Sequence, residues 1–144
     1  MFPELEWPLI YNNLVHLGIA YLLALPVALD RSQSTRSAGL RTFPLVAVAA
    51  CGFTLVGISV LDTSGAEARV LQGIITGIGF IGGGAILKTN DSVRGTATAA
   101  SLWCTGLIGI AVAFGRFEIA ILMSAINFIT LRYVKHFTDS AGDA

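Results

Sequence analysis

The residues best suited to chemistry are charged and hydroxyl side chains at the ends of long apolar segments. Asp30 and Arg31 follow the first segment, and Arg41 and Thr42 precede the second. Arg94 lies in a polar stretch between the third segment and the fourth. Ordinary loop charges, which set the orientation of a membrane protein, explain most of this pattern. The alternative, on which the candidate site rests, is a cytoplasmic polar cluster in which Asp30 pairs with an arginine through charge-assisted hydrogen bonds.

The nine carboxylates are informative because none of them lies in the middle of an apolar segment. Mg²⁺ prefers oxygen ligands that usually include carboxylates, and ion-coupled carriers hold ionisable groups at mid-membrane depth. We therefore predict no metal site and no cofactor, with bound Mg²⁺ as the open alternative. Ser-His-Asp, HExxH and paired-carboxylate arrangements are also missing from the sequence. This predicts that the protein is not an enzyme.

The composition is that of an integral membrane protein. Of the 144 residues, 54% are hydrophobic and 12% are charged, whereas soluble domains average about 25% charged residues. At ~20 apolar residues per span, we predict an all-α bundle of five transmembrane helices within residues 1–136, followed by a polar tail at 137–144. The predicted spans are 9–29, 44–61, 68–87, 97–114 and 117–134. The zero net charge gives no hint of a nucleic-acid partner, so none is expected, and the expected partner is the lipid bilayer.

The nine lysines and arginines predict the orientation of this bundle. In a five-span arrangement, two of them, Arg69 and Arg116, fall on one side of the membrane. The other seven fall on the opposite side: Arg31, Arg36, Arg41, Lys88, Arg94, Arg132 and Lys135. Because cytoplasmic loops carry the excess of basic residues, the N-terminus is expected outside and the C-terminus in the cytoplasm.

A glycine-rich run occupies the third predicted span. Six glycines fall within the twelve residues 73–84, and at 100° per residue they lie mainly on two stripes of the helix. The first stripe holds Gly73, Gly77 and Gly84, and the second holds Gln72, Thr76, Gly79 and Gly83. Small residues let membrane helices approach closely, so two stripes predict a helix packed between two neighbours. A phosphate-binding loop is the alternative, but the run does not match the P-loop pattern.

The fourth predicted span has small residues at every fourth position, a spacing that favours close helix crossing. They are Ala97, Ser101, Thr105, Gly109 and Ala113. We therefore predict close packing of spans three and four, within one chain or across a homodimer. The predicted packing residues are Gly73, Gly77, Gly79, Gly83, Gly84, Ser101, Thr105 and Gly109. In the fifth span, Asn127 is expected to form an interhelical hydrogen bond.

Several of these segments together resemble the MgtC/SapB (YhiD) family of bacterial inner-membrane proteins. The matching segments are 28–31, 38–42, 77–87 and 92–103, followed by Gly109. The resemblance implies five spans with an outside N-terminus, which agrees with the distribution of basic residues. Many members carry a cytoplasmic domain after the last span, and this sequence, which ends at Ala144, is expected to lack it.

The resemblance also implies a function. The family is associated with bacterial growth at low magnesium and with survival inside host cells, hence with virulence. It is often labelled a Mg²⁺ transporter, whereas some members are thought to regulate other membrane machines, such as P-type ATPases or the ATP synthase. The lack of mid-span carboxylates favours the regulatory role, exerted through helix contacts with a transport or ATPase complex. A transporter or channel for Mg²⁺ or another small solute is the alternative.

Overall fold

The computed structural model describes residues 6–34, 39–89 and 92–134. Five helices and a short hairpin follow one another in this part of the chain: α1 (Trp7–Ser34), α2 (Thr42–Val60), α3 (Ser64–Gly84), β1 (Leu87–Lys88), β2 (Val93–Arg94), α4 (Thr96–Ala113) and α5 (Phe117–Ile129). One π-helical turn, Thr130–Val134, continues α5. The predicted polar tail, together with Arg36 and Lys135, lies outside the described residues.

The chain is an all-α membrane protein. Among the described residues, four helices are long and apolar enough to cross a membrane: Trp7–Gln33, Thr42–Val60, Thr96–Ala113 and Phe117–Val134. The helix α3 has 21 residues but is not among these four. Its seven glycines contribute little hydropathy, and its first two turns carry Glu67 and Arg69.

The third helix begins and ends earlier than the predicted span 68–87. Thr63 caps its first turn, because the Thr63 side chain accepts a hydrogen bond of 3.3 Å from the Ala66 amide. After Gly84 the chain forms an antiparallel hairpin that the sequence analysis did not predict, with Leu87 opposite Arg94. Gly95 then starts α4 at a φ of +89°, where a Cβ would collide with a main-chain carbonyl oxygen of the preceding loop.

The central helix of the bundle is α4, which contacts each of the other four helices. Small residues on different faces of α4 admit these neighbours. Gly109 lies against the α2 backbone, where an added Cβ would be 2.9 Å from the Cys51 nitrogen. Gly106 lies under the Ile78 side chain of α3, whose Cγ1 would be 3.1 Å from an added Cβ. Because α4 presents little bulk in these directions, its neighbours pack close to its axis.

The glycine-rich helix α3 lies at the edge of the bundle, against α2 and α4. It packs through a row at every fourth residue, formed by Val70, Ile74, Ile78 and Gly82. The predicted packing glycines Gly73, Gly77, Gly79, Gly83 and Gly84 do not belong to this row. A Cβ added to any of them would have no neighbouring atom within 4 Å among the described residues. The helix α3 thus contacts two neighbours and packs against α4, as predicted. The predicted role of these five glycines in that packing is wrong for the single chain, because bulky apolar side chains make the contacts.

Candidate functional site

A cluster of charged and hydroxyl side chains lies on the side of the bundle where α1 and α5 end and α4 begins. Asp30 and Arg31 are 8% and 6% exposed. They lie within α1, which runs on to Ser34, and not in a loop. Arg31 Nη2 is 3.6 Å from Asp30 Oδ2, and Arg132 Nη1 is 3.5 Å from Asp30 Oδ1. Arg31 Nη1 also donates to Thr98 Oγ1 at 3.4 Å. We call these four residues the Asp30 cluster.

The charges of the Asp30 cluster stabilise one another in their buried positions. Burying a charged group costs several kcal/mol unless an opposite charge and hydrogen bonds compensate it. Asp30 and Arg31 compensate each other inside the bundle, whereas Arg132 is 52% exposed and its bridge to Asp30 is open to solvent on one side. The arrangement is therefore suited to holding α1 and α5 in a fixed relation.

Polar side chains continue from the Asp30 cluster into the bundle between α4 and α5. Asn127 Nδ2 donates to the Ser101 carbonyl oxygen at 3.2 Å and lies 3.5 Å from Thr105 Oγ1. Further in, Ser124 Oγ donates to the Leu23 carbonyl oxygen of α1 at 2.6 Å. These bonds include the interhelical hydrogen bond predicted for Asn127. We call Ser101, Thr105, Ser124 and Asn127 the polar track.

Within the polar track, the Ser101 hydroxyl is buried and has no hydrogen-bond partner among the residues that the structure describes. Buried hydroxyl groups are normally paired, since an unpaired one costs about 1–3 kcal/mol. The neighbouring Thr105 hydroxyl is paired, because it donates to the Ser101 carbonyl oxygen at 2.8 Å. The Ser101 hydroxyl is therefore a buried polar group that the hydrogen bonds within the polar track leave unpaired.

The other predicted cluster residues lie elsewhere. Arg41 is the N-cap residue of α2, and its side chain forms no capping hydrogen bond. Thr42 is the first helical residue of α2. Arg94 is exposed in β2, opposite Leu87. Of the five predicted residues, the structure thus brings together only Asp30 and Arg31.

The parts of the cluster that come from other helices, above all Arg132, were not predicted. Arg132 lies in the π-helical turn Thr130–Val134, far from Asp30 in sequence. The packing of α1 against α5 and this turn brings the two side chains together. Thr98 lies a few residues after Arg94, within the segment 92–103 that resembles the MgtC/SapB family. This position was the one sign in the sequence that Thr98 belongs to the cluster.

A second feature is an apolar groove between α2 and α3, with a volume of about 720 Å³. Its walls are formed by α2 from Arg41 to Phe53 and by α3 from Val70 to Ile81. The predicted packing residues Gly73 and Gly77 line it, whereas Gly79 and Gly83 lie outside it. We call this feature the α2–α3 groove.

The described residues contain no group of three or more histidine, cysteine or acidic side chains that could hold a metal ion. Asp30 is the one carboxylate of the Asp30 cluster, and its two arginine neighbours repel a cation. Mg²⁺ normally needs one or two carboxylates together with several retained waters. The cluster therefore offers a poor donor set for Mg²⁺.

Comparison of the sequence with known proteins identifies its relatives. The sequence profile described as the MgtC family matches residues 17–140. A protein of Synechocystis sp. is 37% identical over 136 residues, which cover 92% of this chain and 56% of the relative. Protein MgtC of Salmonella typhimurium is 36% identical over 121 residues, covering 84% and 52%. Protein MgtC of Brucella abortus is 38% identical over 109 residues, covering 76% and 45%.

The chain therefore spans about half the length of the curated relatives that it matches. No solved structure matches it significantly.

Proposed function

The chain belongs to the MgtC family, and we propose that it is a non-enzymatic regulator of transport or ATPase machinery in the bacterial inner membrane. The regulated process would be adaptation to low Mg²⁺ or to intracellular stress, as the family resemblance implies. The observation that carries the proposal is the exposed glycine face of α3. A helix that turns glycines away from its own bundle is suited to receive a helix from another protein.

The proposed contact is a stripe on the outer side of α3, which we call the outer stripe: Gln72, Thr76, Gly79 and Gly83. All four residues are exposed. An added Cβ on Gly79 or Gly83 has open space around it within the described chain. Between helices in lipid, close backbone approach and hydrogen bonds from polar side chains stabilise association. The outer stripe offers both, for a helix of a transport or ATPase complex or for a second copy of this chain.

This contact requires α3 to lie in the membrane as a fifth span. Its 21 residues rise about 31 Å, which matches the ~30 Å hydrocarbon core. It also packs along two of the helices that are apolar enough to cross. With five spans, Arg41, Arg94 and Arg132 face the cytoplasm, and the N-terminus is outside.

Co-purification tests the proposal. The tagged chain is isolated from native membranes in mild detergent, and associated membrane complexes and second copies are identified by mass spectrometry. Gly79→Leu and Gly83→Leu place bulk on the outer stripe and should abolish the association. Gly18→Leu is the matched control, because Gly18 of α1 also has open space around it. Associations that persist in both α3 variants would refute the outer stripe as the contact.

Transport of Mg²⁺ or another small solute is the second candidate, and the polar track favours it. The track leads from the Asp30 cluster toward the middle of the bundle and contains the unpaired Ser101 hydroxyl. Proteoliposomes of the purified chain distinguish the two functions. We expect no saturable Mg²⁺ uptake. Uptake that is saturable and lost in Asp30→Asn, but retained in the surface variant Glu118→Gln, would overturn the regulatory proposal.

A further inference from the structure

The α2–α3 groove is closed at one end and open at the other. Near the outer end of the two helices, Val70 of α3 lies against Gly57 of α2, with Val70 Cγ1 3.2 Å from the position of an added Cβ. Toward the other end, the groove between the helices reaches Arg41 and Ile81. Gly73 and Gly77 deepen it, because neither carries a side chain into the space.

The length of the groove corresponds to one leaflet of a bilayer. The α2 wall, from Arg41 to Phe53, rises about 18 Å, and the α3 wall, from Val70 to Ile81, rises about 16 Å. Half of the hydrocarbon core is about 15 Å thick. A partner helix that crosses the membrane needs a path about twice as long, and the contact between Val70 and Gly57 blocks that path. An acyl chain of a single leaflet fits the groove in both length and polarity.

The open end of the groove carries a positive charge at the level of the lipid headgroups. Arg41 is exposed there, and none of the ion pairs between described residues includes it. The next residue, Thr42, also lines the groove. A guanidinium group binds phosphate oxygens through two parallel hydrogen bonds, and basic residues at the cytoplasmic surface attract anionic lipids.

We propose that the α2–α3 groove binds an anionic phospholipid of the cytoplasmic leaflet, with an acyl chain between α2 and α3 and the phosphate at Arg41. The choice of leaflet rests on the proposed topology, whereas the lipid chemistry rests on the groove and on Arg41. A lipid in this position would fill the space beside Gly73 and Gly77 and hold α3 against the bundle. The outer stripe would stay open for a partner helix.

Native mass spectrometry of the purified full chain tests the proposal, with phosphatidylglycerol and phosphatidylcholine titrated separately. We expect phosphatidylglycerol to bind at least about tenfold more tightly to the unsubstituted chain than to Arg41→Ala, as for the loss of charge-assisted hydrogen bonds. Arg94→Ala removes an exposed arginine that does not line the groove, and it should retain the affinity. Gly77→Leu should also lose binding, since its side chain would occupy the groove.

Three results would overturn the proposal. The first is equal affinity for phosphatidylglycerol in Arg41→Ala and in the unsubstituted chain. The second is equal binding of phosphatidylcholine, which would show that the charge at Arg41 contributes nothing. The third is efficient cross-linking between copies through a cysteine at the groove residue Ala49 in bilayers, which would show a second chain in the groove. The lipid titration contains no partner protein, so its failure would leave the outer-stripe experiment unaffected.

Discussion

Replacing Asp30 by asparagine tests how far the bundle depends on its buried charges. The substitution keeps the size of the side chain and removes its charge. Arg31, which is 6% exposed, then keeps a buried charge without its carboxylate neighbour at 3.6 Å. Arg132 loses the same carboxylate but is half exposed, so water can solvate it.

The size of the effect follows from this difference in burial. Removing one partner of a buried ion pair typically costs 3–5 kcal/mol, whereas an exposed pair contributes about 0–1 kcal/mol. The distances of 3.6 and 3.5 Å are long for ion pairs, and Arg31 keeps its contact with Thr98. We therefore expect Asp30→Asn to lower the free energy of unfolding by about 3 kcal/mol, the lower end of the buried range.

Unfolding of the purified chain in mixed detergent and dodecyl sulfate micelles, followed by circular dichroism, measures this loss. The double variant Asp30→Leu with Arg31→Met should recover most of it, because apolar replacement of a whole buried pair is often neutral. Glu118→Gln is the matched control, since the Arg116–Glu118 pair is exposed on both sides and its loss should leave stability unchanged. Equal stability of Asp30→Asn and the unsubstituted chain would refute the interdependence of the buried charges.

Three further predictions use the same unfolding measurement. Gly109→Ala should lower the free energy of unfolding by about 1–3 kcal/mol, because the added Cβ meets the α2 backbone. Gly79→Ala, in open space, should leave it unchanged. Equal effects of the two substitutions would contradict the central position of α4. Gly95→Ala should destabilise more than Gly115→Ala. Both glycines have positive φ, but only at Gly95 does a Cβ collide with the backbone. Asn127→Ala should cost about 0.6 to 2 kcal/mol for the lost interhelical hydrogen bond, and an unchanged stability would show that the bond contributes nothing.

The sequence by itself determined the class of the protein and the approximate course of its helices. The fourth predicted span, 97–114, differs by one residue at each end from α4, Thr96–Ala113. Gly115 follows that helix at a φ of +68°. Such features depend on runs of apolar residues and on backbone preferences, which are local properties of the chain.

The position of each helix in the bundle was decided by the tertiary structure. Gly77 and Gly79 allow another helix to approach α3 closely. The sequence does not show whether that helix belongs to the same chain. The row that contains Val70, Ile74 and Ile78 buries more apolar surface, and it faces the bundle instead. Small residues on several faces of α4 then put that helix at the centre.

The candidate site was determined partly by the sequence and partly by long-range packing. That Asp30 pairs with an arginine follows from residue type, since a carboxylate beside Arg31 at the end of an apolar helix seeks a cation. That Arg132 joins them depends on the packing of α1 against α5, which has no local pattern. For the same reason Arg41, expected in the cluster, lies instead at the mouth of the α2–α3 groove. Residue type identifies which groups can pair, whereas the packing of helices far apart in sequence decides which groups meet.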